Sequence, residues 1–301
     1  MYYVKWFSGK VWETAGNPTF PPSVRFPVTN HIPPILRLAA TVLGGTLIAA
    51  PATAQGGSSD PSPVTIEYLA NEGVLISHGP SAVLIDALMG DGLPGYPVVT
   101  GATRDSLERA LGRFGSVDLV LVTHVHRDHF NARSVARHLR HNPSAIVAGA
   151  AQLSDSLADL AGWDDAARRL VVPATPGGRS ETRIGAVGLE AHGIPHPPSR
   201  NQPVDHVVWV VKIGGIRLMH IGDSSPSSAE LAAAAGDGVD VLLAPFWVLG
   251  GDRGVERMAA TRASRVAAFH FGHDAGPFRG PAGVVVLRSP GQRFEVEPAS
   301  R

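Results

Sequence analysis

Residues 123–129 run Thr123-His124-Val125-His126-Arg127-Asp128-His129, directly behind Val117-Asp118-Leu119-Val120-Leu121-Val122, a run with the composition of a buried strand. Three imidazoles and a carboxylate this close together are unfavourable unless a cation sits among them. Borderline divalent metals such as zinc take imidazole nitrogen and carboxylate oxygen. His124 and His126 are two apart, so an extended backbone projects both to one side. Asp128 and His129 fall beyond the strand and can turn towards a second ion. A histidine-rich surface loop is the competing reading, and the order of residues behind this apolar run argues against it. The feature constrains the fold: a buried strand must end where polar side chains can converge.

This His-x-His-x-Asp-His arrangement resembles the metallo-β-lactamase superfamily. The resemblance covers roughly residues 64–297 and is nearest to the ascorbate-phosphate-lactonase-like branch. It implies a four-layer αββα sandwich and further ligands delivered from later strand ends: His196 in Ile194-Pro195-His196, Asp223 in Gly222-Asp223 and His270 behind Phe269. By the same analogy His124, His126 and His196 would hold one metal, and Asp128, His129 and His270 the other. Asp223 would bridge the two. The implied cofactor is a pair of divalent ions, zinc first, with manganese or iron as alternatives. The implied chemistry is hydrolysis by a hydroxide shared between the ions, Asp128 orienting it and accepting its proton.

Composition narrows the possibilities. Cysteine is absent, which excludes disulfides, thiolate ligands, a cysteine nucleophile and a lipid-anchoring lipobox. Formal net charge is zero, so no basic field gathers nucleic acid or anionic lipid. Residues 1–36 are an N-terminal extension rich in proline and aromatics. After Arg37 a short apolar run leads to Pro51-Ala52-Thr53-Ala54, so residues 37–54 read as a signal peptide cleaved behind Ala54. The run is shorter than the roughly 20 apolar residues a membrane span needs. The expected location is periplasmic or secreted, without stable membrane insertion. Residues 55–63 read as a flexible Gly/Ser/Pro linker, and residues 64–297 as the hydrolase domain.

Within that domain strands alternate with helices. Strands are expected at 64–69, 73–77, 82–86, 117–122, 145–149, 170–172, 188–191, 206–213, 216–221, 239–244 and 265–269. Helices are expected at 106–114, at 131–141 capped by Asn131, at 153–161, and at 227–235 with Ser225 as cap and Pro226 behind it. Pattern alone leaves an ordinary layered α/β domain as an equal rival to the sandwich.

The remaining polar residues sort less sharply. His192 rivals His196 or supports the site from behind; His273 rivals His270 or touches substrate. His220 reads as packing or surface, His138 and His141 as solvated, and His31, His78 and His206 carry no usable pattern. Asp86 and the turn Asn71-Glu72-Gly73 could back the ligands or be plain strand-end groups. Arg200 and Asn201 could bind a polar substrate group. Residues 245–249, Pro245-Phe246-Trp247-Val248-Leu249, would pack under the site or wall an apolar pocket.

The leading expectation is a binuclear metal-dependent hydrolase of a small-molecule ester, lactone or amide, with no nucleic-acid partner. The alternatives are phosphodiester cleavage at the same site, a di-iron redox protein, or a non-catalytic metal-binding protein. In the superfamily the redox chemistry normally comes with a flavodoxin-like donor domain, and the chain is expected to carry none.

Overall fold

The structure is a computed structural model that describes residues 62–160, 168–198 and 203–298; residues 1–61, with the extension, the signal peptide and most of the linker, lie outside it, as do Arg200 and Asn201. Apolar alternation builds the first hairpins: β1 (Val64–Ala70), β2 (Gly73–His78) and β3 (Ser81–Ile85) pair antiparallel in sequence order. The chain then crosses over through α1 (Gly101–Glu108) to β4 (Val117–Leu121), which pairs parallel with β3. Next come α2 (Ala132–His141), β5 (Ile146–Gly149), α3 (Ala151–Ala158) and β6 (Arg169–Val171). The second half repeats the plan: β7 (Arg179–Ile184), β8 (Val187–Gly193), β9 (Val207–Ile213) and β10 (Ile216–His220) are antiparallel neighbours. Parallel strands β11 (Val241–Pro245), β12 (Arg265–Phe269) and β13 (Val285–Val286) follow, interleaved with α4 (Ser228–Ala235) and α5 (Gly251–Thr261). β14 (Arg293–Val296) returns to the first sheet beside β1.

Two seven-stranded sheets result, ordered β14-β1-β2-β3-β4-β5-β6 and β13-β12-β11-β10-β9-β8-β7. Alternate residues of each strand point to opposite faces, and in the inner strands of both sheets both faces are buried. Ile66, Ile76, Ile85, Leu119 and Leu121 from one sheet meet Leu189, Trp209, Leu218, Leu243 and Phe269 from the other. The outer faces take helices: Leu84 and Val120 pack with Leu107, Val135 and Leu157, while Val210, Met219 and Leu242 pack with Leu231 and Ala235. That is the four-layer αββα sandwich. Among the described residues no helix is long and apolar enough to cross a membrane.

Local details depart from expectation where tertiary context outweighs local pattern. The helix expected at 106–114 starts earlier, at Gly101, and stops at Glu108; Ala110 turns left-handed at φ 49° before a short 3-10 turn at Gly112–Phe114. The cap of α4 is Ser227 rather than Ser225: its hydroxyl accepts from Glu230 N–H, and the Glu230 carboxylate reaches back to Ser227 N–H in a reciprocal capping box. Pro226 therefore precedes the cap. Four elements lie outside the sequence expectations: β7, α5, β13 and β14. β7 is a charged, mostly exposed edge strand with no apolar alternation, and α5 opens on Gly251-Asp252-Arg253-Gly254, a weak helix sequence.

Candidate metal centre

Every histidine or carboxylate of the centre sits on a loop leaving the C-terminal end of a strand. β4 delivers Thr123 to His129, β8 leads to His196, β10 to Asp223, and β12 places His270 immediately behind Phe269. The first loop folds into a tight turn in which His126 carbonyl accepts from both His129 N–H at 3.0 Å and Phe130 N–H at 2.9 Å. Its entry is pinned by Thr123 N–H donating to Asp86 Oδ1 at 2.8 Å.

These loops bring all seven residues together. His124, His126 and His196 form one group of potential ligand atoms and Asp128, His129, Asp223 and His270 a second, the atoms within each lying no more than 4.8 Å apart. Asp223 touches both. Its Oδ2 is 3.5 Å from His129 Nε2, 3.6 Å from His196 Nε2 and 4.0 Å from His124 Nε2, while Oδ1 is 3.2 Å from His270 Nε2. Asp128 Oδ2 lies 3.3 Å from His270 Nε2 and 3.5 Å from His129 Nε2.

The donor set fits cations. Nε2 of His124, His126, His129, His196 and His270 is buried without a hydrogen-bond partner, and so is Asp223 Oδ1. Orphaned buried polar atoms are disfavoured by a few kcal/mol each, and here they converge. The opposite ring nitrogens explain why Nε2 is left bare. Thr123 Oγ1–H donates to Asp86 Oδ2 at 2.6 Å, so the same hydroxyl oxygen accepts from His124 Nδ1–H at 2.9 Å. His129 Nδ1–H donates to Asp86 Oδ2 at 3.0 Å, and His196 Nδ1–H to Pro197 carbonyl at 2.6 Å. In these three rings Nδ1–H is engaged, so Nε2, aimed into the cluster, is the nitrogen a cation would take, the arrangement metal-ligating histidines need.

Charge and strain concentrate here. Burial resists protonation of His129 and His270, but the surrounding Asp223 and Asp128 outweigh it and raise both above the ordinary imidazole range. Burial likewise resists ionisation of Asp128 and Asp223, and contacts with His129 and His270 outweigh it and hold both carboxyls low. Burial, followed by the nearby Asp223, drives Glu72 the other way, well above the carboxylate range. Asn71, Asp86 and His270 adopt left-handed backbone at φ 50°, 47° and 62°. That is uncommon for residues other than glycine, and such strain gathers at functional sites. His270 N–H donates to Asn71 carbonyl at 3.2 Å, and Asn71 Nδ2 donates to Asp128 carbonyl at 3.2 Å.

Other histidines fall elsewhere. His192 points to Glu190, its Nε2 3.5 Å from the carboxylate, and no hydrogen bond or ion pair joins it to the cluster. His273 is exposed, its backbone N–H donating to Gly95 carbonyl at 2.8 Å. His138, expected to be solvated, is fully buried: it lies on the inner face of α2, its Nδ1–H donating to Leu107 carbonyl at 2.6 Å. His220 packs on Phe269, with Nε2–H donating to Glu72 carbonyl and Nδ1 accepting from Gly222 N–H, so neither nitrogen is free to ligate. His206 had no sequence signal, yet its ring lies 5.2 Å from that of His124, tilted 40° to it, and it donates through Nδ1–H to Ile194 carbonyl. Burial pushes it down to about 3, so it stands neutral against the cluster. Of residues 245–249, Val248 and Leu249 pack inside, while Phe246 and Trp247 wall a hollow.

Residues 81–274 match the family model described as a beta-lactamase superfamily domain. Among curated protein sequences none matches the chain. Solved structures share the fold at low identity. A novel metallo hydrolase from the archaeon Ignicoccus hospitalis is 18% identical, with a TM-score of 0.56 over 78% of this chain and 99% of its own. A possible metal-dependent hydrolase from Veillonella parvula is 15% identical, at 0.57 over 78% of this chain and 100% of its own. CmlA, a diiron β-hydroxylase from Streptomyces venezuelae, is 14% identical, at 0.50 over 79% of this chain and 54% of its own. The chain belongs to the beta-lactamase superfamily, and its sandwich is the metallo-β-lactamase fold found in metal-dependent hydrolases.

Proposed function

We propose that the protein is a binuclear metal-dependent hydrolase acting on an ester, lactone or amide of a small molecule. One observation carries this reading: Asp223 lies between two ligand groups whose Nε2 atoms are all bare and convergent. His124, His126 and His196 would hold one ion, Asp128, His129 and His270 the other, and Asp223 would reach both. Two divalent ions there, zinc in the first instance, supply Lewis acidity and bring a water within reach of ionisation near neutral pH. The protein's own part is placement. Asp86 sets the His129 tautomer directly and that of His124 through Thr123. Asn71 holds the Asp128 turn. Asp128 Oδ2, beside His129 and His270, is the group placed to orient a water and receive its proton. Cleavage then needs no protein nucleophile.

Metal analysis together with a panel of esters, lactones and phosphodiesters tests this. Two equivalents of zinc per chain with ester or lactone turnover, reduced by about 10²- to 10⁴-fold in Asp128→Ala, is the expected result. Turnover confined to phosphodiesters would move the reading to a phosphodiesterase. CmlA, a fold relative described as a diiron hydroxylase, favours one other reading, a di-iron redox centre; visible absorption from bound iron without hydrolysis would establish it. The apolar run ahead of Ala54 supports export to the periplasm or medium. N-terminal sequencing of the protein from its host, beginning at Gln55, is the outcome that supports export. The neutral charge supports a small-molecule rather than nucleic-acid substrate.

A further inference from the structure

Trp247 belongs to two environments. Its ring meets His270 edge-on with centroids 4.9 Å apart, and it also lines a hollow of about 410 Å³ that contains no metal-ligating residue. Phe246, Phe271, Phe278, Ala275 and Arg279 also line it. Phe246 stacks on Phe271 at 5.0 Å, and Phe271 meets Phe278 edge-on at 5.9 Å, so the aromatic wall is braced from ring to ring. Both contributing loops leave the strand ends that face the centre: one follows β11, the other follows β12 just behind His270. No acidic residue lines the hollow among the described residues. Trp247 remains 37% exposed, an apolar surface that water covers poorly. The volume lies at the small end of the roughly 300–1,000 Å³ typical of small-molecule pockets, which suits a chain or ring of modest size.

We propose that this hollow is the subsite for an apolar acyl group, so that the substrate is an ester or lactone carrying a medium-length alkyl arm on its scissile carbonyl. The proposal rests on the hydrolase reading for its chemistry and on the aromatic hollow for its specificity. Seating the arm against Trp247 would place the attached carbonyl beside His270, with no acidic side chain along the hollow to repel its oxygen. A neutral polar arm would be desolvated against four aromatic rings.

The test uses the metal-loaded protein with p-nitrophenyl acetate, butyrate, hexanoate and octanoate, whose leaving group is constant. Each buried methylene is expected to raise kcat/KM about threefold to fourfold until the hollow is full, chiefly through KM. Ala275→Trp fills the hollow without touching a ligand, and should bring the octanoate-to-acetate ratio close to one. Phe278→Ala should flatten the same rise by removing a wall. Circular dichroism and metal content of each variant establish that the fold and centre are intact. A flat wild-type series, or a rise that survives Ala275→Trp, overturns the proposal. Calorimetric titration with octanoate and acetate separates it from the hydrolase reading. If no ester is cleaved, that reading fails, yet octanoate binding at least tenfold tighter than acetate, and lost in Ala275→Trp, still supports the subsite. Equal binding of the two overturns it.

Discussion

Asp86→Asn tests the logic of the centre with a change of one atom. Asp86 sits at φ 47°, a conformation asparagine tolerates as well as aspartate, so the backbone should stay put. Three hydrogen bonds end on the carboxylate: Thr123 N–H at 2.8 Å, Thr123 Oγ1–H at 2.6 Å and His129 Nδ1–H at 3.0 Å. Asparagine can keep the first through Oδ1. Its Nδ2, however, donates where Oδ2 accepted. To accept from it, His129 must move its proton from Nδ1 to Nε2, the nitrogen that faces Asp128 and Asp223. Thr123 Oγ1 must turn as well, which releases His124 Nδ1–H from its acceptor. Loss of one such supporting partner weakens metal binding about 10- to 100-fold, or about 1.4–2.7 kcal/mol. Because Asp86 supports a ring in each ligand group, both binding steps should weaken. The metal-free protein should also lose about 2–4 kcal/mol, from two charge-assisted bonds replaced by mismatched ones. Competition against a chromophoric chelator measures the two affinities, and urea unfolding measures the stability. Wild-type affinity at both steps in a folded Asp86→Asn protein would refute the argument that Asp86 sets the tautomers.

Gly222→Ala should disrupt the Asp223 loop: a Cβ there would stand 2.5 Å from His206 Nε2 and 2.8 Å from Thr123 Cβ, at φ 52°. The expected loss is about 2–4 kcal/mol by thermal unfolding, combining left-handed strain with overpacking. Saturating divalent metal at about 100 times Kd should add about 2.7 kcal/mol of stability, reversed by a chelator; a melting temperature indifferent to chelation would remove the basis for a metal centre. Ser227→Ala breaks the α4 capping box and should lower stability by about 1 kcal/mol in urea unfolding. His138 is held neutral by burial in the folded state, its pKa below the ordinary value of about 6.5 kept by the unfolded chain. Below that pH the unfolded state binds more protons, so its contribution is complete above about pH 6.5 and falls as the pH drops. His138→Gln should therefore reduce the slope of stability between pH 7 and 5 by up to about 1.4 kcal/mol per pH unit; parallel slopes would refute the assignment.

How much was legible in the sequence follows from how each feature is encoded. The turn carrying His124, His126, Asp128 and His129 is local, so residue spacing alone displayed it. His196, Asp223 and His270 were legible only by resemblance, because each stands alone behind its own strand. Apolar runs marked the buried strands, and Asn131 marked the start of α2, its side chain accepting from Ser134 N–H at 3.0 Å. β7 left no such mark: an edge strand facing solvent needs no apolar side, and its ladder bonds belong to the backbone. His138 was misplaced because basic residues at a helix end usually serve the carbonyl terminus, whereas this one turns inward beside Val135 and Leu139.

By itself the sequence determined the layered αβ plan, the absence of any thiol chemistry and the local half of the ligand cluster. These follow from periodicity, composition and short spacing, which one chain segment carries without reference to another. Only the tertiary structure decided which nitrogen of His124, His129 and His196 is bare, that Asp223 reaches both groups, and that Asp86, Asn71, Glu72 and His206 stand behind them. It also turned Phe246 and Trp247 from an apolar segment into the wall of a hollow beside His270. The Asp86 carboxylate that fixes His129 is 43 positions away in the chain and the Glu72 carbonyl that takes His220 is 148 away, yet strand order brings each within 3.0 Å, and no local pattern records such a partnership.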